Sequence, residues 1–258
     1  MTFSFTKYQG TGNDFIMVDC ISIKDFKLDN EQIADLCDRR FGIGADGIIL
    51  ISEHPTLDFK MTYYNSDGTQ SFCGNGARCA VHFAKSLGLF KNKAIFEAID
   101  GLHVASIKND QVSIKMNKVE TYQKDNTAFI INTGSPHYVK FTADVDEENI
   151  VEYGKEIRYS AKYKKEGINV NLVEVLANNH VEMLTYERGV EDETHSCGTG
   201  ATAVAIAYAL VLDIDSIDLK ITVKGGELNV KAERYLETFD DIYLNGAATK
   251  VFEGEITI

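Results

Sequence analysis

Cys73-Gly74-Asn75-Gly76-Ala77 and Cys197-Gly198-Thr199-Gly200-Ala201 are two near-copies of one phrase, 124 positions apart (197 less 73) in a chain of 258 residues. Two further echoes fall at almost the same interval. Thr11-Gly12-Asn13 is answered by Thr133-Gly134-Ser135, and Asp100-Gly101-Leu102 by Gly225-Gly226-Glu227-Leu228. Echoes at one interval are the mark of a duplicated fold. The chain is therefore expected to hold two pseudo-symmetric domains, 1–122 with the Cys73 turn and 123–258 with the Cys197 turn. The seam falls where Asn117-Lys118-Val119-Glu120 runs into the polar stretch Tyr122 to Thr127. The extreme C-terminal strand is left able to pack back on the N-terminal domain.

Most of the chain reads as strand. Phe15 to Asp19, Phe59 to Tyr64, Val112 to Met116, Asn169 to Leu176, Val181 to Tyr186, Ile217 to Val223 and Asp241 to Leu244 are β-branched or aromatic and often alternate. Three segments read as helix. Asp29 to Arg40 opens on an Asp cap and lines up Ile33, Leu36 and Cys37. Ala77, Ala80, Val81, Ala84 and Leu87 follow helical spacing, with Gly88 as the stop. Ala201 to Leu212 is apolar almost all round, so it must be enclosed, most simply by curved sheet. The expected class is α/β (α+β), each domain a curved, mostly antiparallel sheet or barrel around a central buried helix, with the active site at the domain interface.

Each cysteine thus precedes a buried helix that begins at its glycine turn. A helix N-terminus leaves N–H groups unpaired and carries partial positive charge. That lowers the pKa of a thiol placed there, and it offers donors to a carboxylate that glycines let approach closely. Two such turns facing one α-carbon would place a sulfur on each side, with the sulfurs roughly 7 Å apart. One removes a proton while the other delivers one to the opposite face. The carboxylate would absorb the charge of the deprotonated carbon. Cys20, Cys37 and Cys79 lack this context and read as core or spectators.

A formal charge of −13 and the lack of a Lys/Arg-rich run exclude a nucleic-acid partner. The longest apolar run, Ala203 to Leu212, is too short to span a bilayer, and the N-terminus lacks a signal-peptide pattern, so a cytoplasmic location is expected. An odd count of five cysteines is unlike a secreted disulfide framework. Gly42-Ile43-Gly44-Ala45-Asp46-Gly47 matches G-x-G-x-x-G but follows a helix and enters a strand, the reverse of a dinucleotide site. Cys73 and Cys79 have no partner pair with ligand spacing, so no metal is expected.

Tyr64-Asn65-Ser66-Asp67-Gly68 leading to Cys73-Gly74-Asn75-Gly76-Ala77-Arg78-Cys79, with Tyr186-Glu187-Arg188-Gly189 leading to the Cys197 turn, resembles the diaminopimelate epimerase family. The likeness runs from Gly10-Thr11-Gly12-Asn13-Asp14-Phe15 to Gly225-Gly226-Glu227-Leu228. It implies an isomerase without cofactor, converting LL- to meso-diaminopimelate in lysine and peptidoglycan precursor synthesis, and a homodimer. Carried over by residue, Cys73 and Cys197 are base and acid. Gly74, Asn75, Gly198 and Thr199 hold the reacting carboxylate. Asn13, Asn65, Asn169, Glu187 and Arg188 bind substrate, largely its distal end, and His137 with Glu187 tunes the thiols. An Arg suits the distal carboxylate, and acceptors suit its ammonium.

The chain departs from the family pattern at three places: Ser135 stands where many relatives carry Asn, Gly47 where some carry Gln, and Lys162 to Gly167 lacks a Pro-Glu-Arg phrase. Two rival functions share the cysteine pair. Proline and hydroxyproline racemases typically carry His where this chain has Asn75, and lack Glu-Arg-Gly. A thiol redox-switch binding protein would show no turnover in either redox state. A Cys–His hydrolase built on Cys197 with His195 or His137 leaves the second turn unexplained.

Overall fold

The structure, a computed structural model, describes every residue except Lys24. The chain is mixed α/β and divides into two compact units, Met1–Ile114 with Gly246–Ile258, and Lys115–Asn245.

In the first unit, β1 (Thr2–Gly10) and β2 (Asn13–Asp19) form an antiparallel hairpin turned by Thr11 and Gly12. Helix α1 (Asn30–Cys37) leads to β3 (Gly47–Ser52), which lies parallel to β2 and pairs antiparallel with β4 (Phe59–Asn65). Helix α2 (Gly74–Ser86) then leads to β5 (Lys93–Ala98), parallel to β4, and on to the hairpin partner β6 (Gly101–Lys108). Strand β7 (Gln111–Lys115) pairs with β6 up to the unit boundary.

The second unit repeats this order. After β8 (Tyr122–Asp125), β9 (Ala128–Asn132) and β10 (Pro136–Thr142) make the hairpin, and α3 (Ile150–Arg158) leads to β11 (Asn169–Ala177), parallel to β10. Strand β12 (His180–Glu187) returns antiparallel, with the short β13 (Asp192–Glu193) beside it. Helix α4 (Gly198–Leu212) leads to β14 (Ser216–Val223), parallel to β12, then to the hairpin partner β15 (Gly226–Tyr235) and to β16 (Thr238–Ala247). All three sequence echoes fall on equivalent turns. Gly101 and Gly226, at φ 126 and 135, start the second strand of matching hairpins in a conformation that favours glycine.

The last strand, β17 (Thr249–Thr257), belongs to the first unit and lies antiparallel on β1. At the other end of the second unit, Met116 and Val119 bond Ile242 and Phe239, which draws 115–122 into that unit. The unit limits are therefore set by strand pairing.

In each unit the strands carry helices on both faces. Helix α2 packs on β1, β2, β3, β4 and β6, while α1 packs on the opposite side with Phe3, Phe5, Ile16, Val18 and Ile48. That explains why Phe15 to Val18 and Ile48 to Ile51 are buried at every position, since alternate residues serve opposite layers. In the second unit, α4 packs on β9, β10, β11, β14 and β15, and Ile150 of α3 packs with Tyr138, Val170, Leu172 and Tyr186.

Three local readings change. Helix α1 stops at Cys37, short of Arg40, because the Asp38 carboxylate accepts from the N–H groups of Arg40 and Phe41 at 2.7 Å each and folds the chain into a turn. Helix α4 is enclosed only as far as Ala209, and Val211 and Leu212 are exposed. Helix α3 carries Gly154 in its middle, which weakens the helical signal in sequence. A Cβ there would sit 2.4 Å from Tyr186 Cβ, so the glycine is what lets α3 lie on β12.

Candidate active site

Cys73 and Cys197 are each the N-cap of a buried helix, with almost the same backbone: φ −128, ψ 115 for Cys73 and φ −128, ψ 110 for Cys197. The duplicated phrase is thus a duplicated conformation. Gly76 and Gly200 lie where neighbouring side chains approach closely. A Cβ on Gly76 would meet Ile49 Cδ1 at 2.9 Å, and one on Gly200 would meet Asn171 Oδ1 at 2.7 Å. The strands can therefore press on the first turn of each helix and set the height of its N–H groups.

In the first unit, Gly76 N–H donates to Cys73 Sγ at 3.4 Å, so the helix end faces the sulfur. The thiol in turn donates to Asn13 Oδ1 at 3.4 Å, and Asn75 Nδ2 donates to the same oxygen at 3.4 Å. Asn13 is oriented by Asp46, whose carboxylate accepts from Asn13 Nδ2 and from Asp14 N–H. Asp46 is held by Arg39, which also grips Asp14 with both arms at 3.0 and 2.7 Å. Burial alone would raise the Asp14 pKa, but Arg39 and Lys7 outweigh it and hold that carboxyl at about 2. The Gly42–Asp46 loop therefore carries charge that fixes Asn13. Asn65 closes the turn ahead of Cys73: its Nδ2 donates to Thr69 O at 3.1 Å, and its Oδ1 accepts from Ser71 at 3.2 Å. Position 47 has no room for a side chain, since a Cβ would lie 2.5 Å from the Tyr63 ring and 2.3 Å from Tyr64 O.

In the second unit, Cys197 Sγ lies 3.5 Å from Thr199 Oγ1, and Thr199 Oγ1 lies 2.9 Å from His137 Nε2. The other ring nitrogen, Nδ1, faces Asn171 Nδ2 at 3.2 Å, and Thr185 donates to Asn171 Oδ1 at 3.0 Å. An amide N–H at Nδ1 makes that nitrogen the acceptor, so Nε2 bears the proton and donates to Thr199. Burial, and secondarily the Arg188 charge, pushes His137 down to about 3, so the ring is neutral. The Thr199 hydroxyl can then donate to the sulfur.

Asn169, Ser135 and Arg188 form a second cluster in this unit. Asn169 Nδ2 donates to Ser135 Oγ at 2.8 Å and to Pro136 O, while its Oδ1 accepts from Arg188 N–H at 2.9 Å. The Arg188 guanidinium donates to Glu166 O and to Ser135 Oγ, at 2.9 and 3.3 Å. Glu187 ends β12 next to it and pairs in register with Asp192. Burial raises the thiols of Cys20, Cys37 and Cys79 to about 12, which leaves them protonated at neutral pH. Among the described residues, no three His, Cys, Asp or Glu side chains group to hold a metal, and no helix is long and apolar enough to cross a membrane.

The family model for diaminopimelate epimerase matches residues 5–122 and 129–251. The chain belongs to the diaminopimelate epimerase family. The chain is 49% identical over 252 residues to a diaminopimelate epimerase from Flavobacterium psychrophilum, covering 97% of this chain and 98% of that one. It is 36% identical over 276 residues to one from Aquifex aeolicus, covering 98% and 97%. By fold it is similar to a Bacillus anthracis protein of the PhzF family (TM-score 0.76, 14% identity, 100% of both chains). It is also similar to a hydroxyproline epimerase from Agrobacterium vitis (TM-score 0.67, 13% identity, 99% and 92%). At those identities the likeness is one of fold alone.

For this member of the diaminopimelate epimerase family, the residues that sequence reading passed over are those behind the first contacts. Asp46 was legible only as part of a glycine motif. Asn171 had one signal: in Asn169-Val170-Asn171, two Asn share one face of a strand, and the rest of that face is apolar.

Proposed function

We propose that this chain is a diaminopimelate epimerase, an isomerase that interconverts LL- and meso-2,6-diaminopimelate with Cys73 and Cys197 as base and acid. The observation that carries this reading is the matched N-cap conformation of the two cysteines, on two helix ends, in a chain of this family.

Inverting a carbon centre takes a base on one face and an acid on the other. One cysteine, as thiolate, takes the α-proton. The C–H electron pair moves into the substrate's carboxylate, and the second cysteine, as thiol, gives its own proton to the opposite face. The thiols end with roles exchanged, so the reverse reaction starts from the other sulfur. The N–H groups of Gly74, Asn75, Gly198 and Thr199 hold the reacting carboxylate where its charge grows. The His137–Thr199 relay stabilises Cys197 as thiolate by donation, without placing a cation there. Arg188 takes the distal carboxylate, with donors to spare beyond Glu166 and Ser135. Asn13, Asn65 and Glu187 offer polar atoms to the distal ammonium, and Asn169 and Ser135 hold Arg188 in place. The active form is a homodimer, which light scattering of the purified chain checks.

Reduced protein, incubated with LL-diaminopimelate in D₂O without pyridoxal phosphate, should yield meso product carrying deuterium at one α-carbon. Cys73→Ala and Cys197→Ala should each abolish turnover. Exchange with proline and none with diaminopimelate would overturn the substrate, and turnover in neither redox state would point to a thiol switch.

A further inference from the structure

Arg78 is buried with 0% exposure on α2, five residues after Cys73. Its Nη2 donates to Thr11 Oγ1 at 2.8 Å and its Nε reaches Ala247 O at 3.4 Å, while its Nη1 is buried with no hydrogen-bond partner. Among the described residues no carboxylate pairs with it, and the ionisable groups that act on it are two thiols, Cys79 and Cys73. A guanidinium stays charged inside proteins, and a buried charge with no counter-ion is costly. Something in the fold must use it.

The neighbours narrow the choice. Burial pushes Cys79, on the same helix, up to about 12, and raises Tyr8 on β1 as well, so both stay neutral. Asp14 on β2 is matched by Lys7 and Arg39. That leaves the partly exposed Cys73 as the group whose charge Arg78 can balance. Once its proton leaves, that sulfur keeps the Gly76 N–H bond and the attraction of the Arg78 charge.

The second unit departs at the matching place. Five residues after Cys197 stands Thr202, also fully buried, whose hydroxyl donates to Gly198 O at 3.0 Å. The turn threonine there, Thr133, donates to Thr199 O at 2.8 Å; its counterpart Thr11 accepts from Arg78 Nη2 at 2.8 Å.

We propose that Arg78 is a positioning residue that makes the two thiols unequal. Its buried charge stabilises the Cys73 thiolate and its Nη2 holds the Thr11-Gly12-Asn13 turn against that sulfur, while the equivalent residue, Thr202, brings Cys197 no charge. This rests on the reading of the two cysteines as an acid–base pair.

The test is the pH dependence of iodoacetamide labelling at each cysteine in the reduced full-length protein, resolved by peptide mass spectrometry. The midpoint reports thiolate formation independently of access. In the wild type, Cys73 should have a lower midpoint than Cys197. Arg78→Met should raise the Cys73 midpoint by about one unit or more, a roughly tenfold smaller thiolate fraction below the midpoint, and leave that of Cys197 in place. Arg78→Lys should restore most of the shift, and the acidic limb of kcat/KM for diaminopimelate should follow the same order. An unmoved Cys73 midpoint, or equal movement of both, overturns the proposal. If Arg78→Met does not fold, a wild-type Cys73 midpoint at or above that of Cys197 overturns it equally. Absence of epimerase activity with the thiol asymmetry intact would instead sink the functional reading.

Discussion

A threonine hydroxyl stands between His137 and the Cys197 sulfur, with a neutral imidazole behind it. Thr199→Val should cost the sulfur its donor, lowering kcat by about 10–100-fold and moving the Cys197 labelling midpoint up, in line with a lost hydrogen bond to a charged group of about 1.5–3 kcal/mol. Steady-state kinetics against pH check this, and an unchanged profile would remove Thr199 from the relay. The imidazole has a thermodynamic signature too. Burial holds His137 at about 3 in the fold against 6.5 as the reference value. The unfolded chain therefore binds the proton first, so this stability is complete above 6.5 and is lost as pH falls from 6.5 toward 3. His137→Gln should lose less stability than the wild type between neutral pH and pH ~4.5, by on the order of 2 kcal/mol, measured by urea unfolding at both pH values. The cysteines, Arg188 and His137 were legible because each carries a chemistry-bearing group in a recognisable phrase. Asn171, Asp46 and Arg78 were not, because their importance lies in what they touch across strands.

At the scale of elements, close approach sets the site. Gly200→Ala would put a methyl 2.7 Å from Asn171 Oδ1, so either the hydrogen-bonded Asn171 amide or the first turn of α4 has to shift. Overpacking of this kind costs about 1–3 kcal/mol, and a shift of that turn should reduce turnover by displacing its N–H groups. Gly154→Ala sets two effects against each other. Alanine gains about 1 kcal/mol of helix propensity, but its methyl would overlap Tyr186. The overlap is with Tyr186 Cβ and Cγ, near the backbone, where the ring cannot simply rotate away. The variant should melt below the wild type in calorimetry, and a higher melting temperature would show that α3 can slide on β12. The N-terminal caps of α1, α2 and α4 were readable from local chemistry. Helix α3 was hidden by this glycine, and the end of α1 by a side chain that folds back on its own backbone.

At the scale of the whole molecule, the first unit is completed by the last strand of the chain. Removing residues 249–258 should strip β1 of its β17 partner and raise amide exchange in β1 and β2 far more than in α4 or β14. Uniform exchange across both units would contradict that division. Duplication was determined by sequence alone, because two helix ends with the same conformation and the same crowding carry the same glycines, which leaves a visible phrase. The sequence by itself also placed both cysteines at helix N-termini, since a cap residue follows from local geometry. Tertiary structure alone decided the inner unit limit, because 115–122 joins the second unit through bonds from Met116 and Val119 to Ile242 and Phe239, pairings that no local pattern records. It alone decided as well that one cysteine turn is backed by a buried guanidinium and the other by a hydroxyl. Burial is a property of the packed fold, and the cost of an enclosed charge appears only once the neighbours that enclose it are in place.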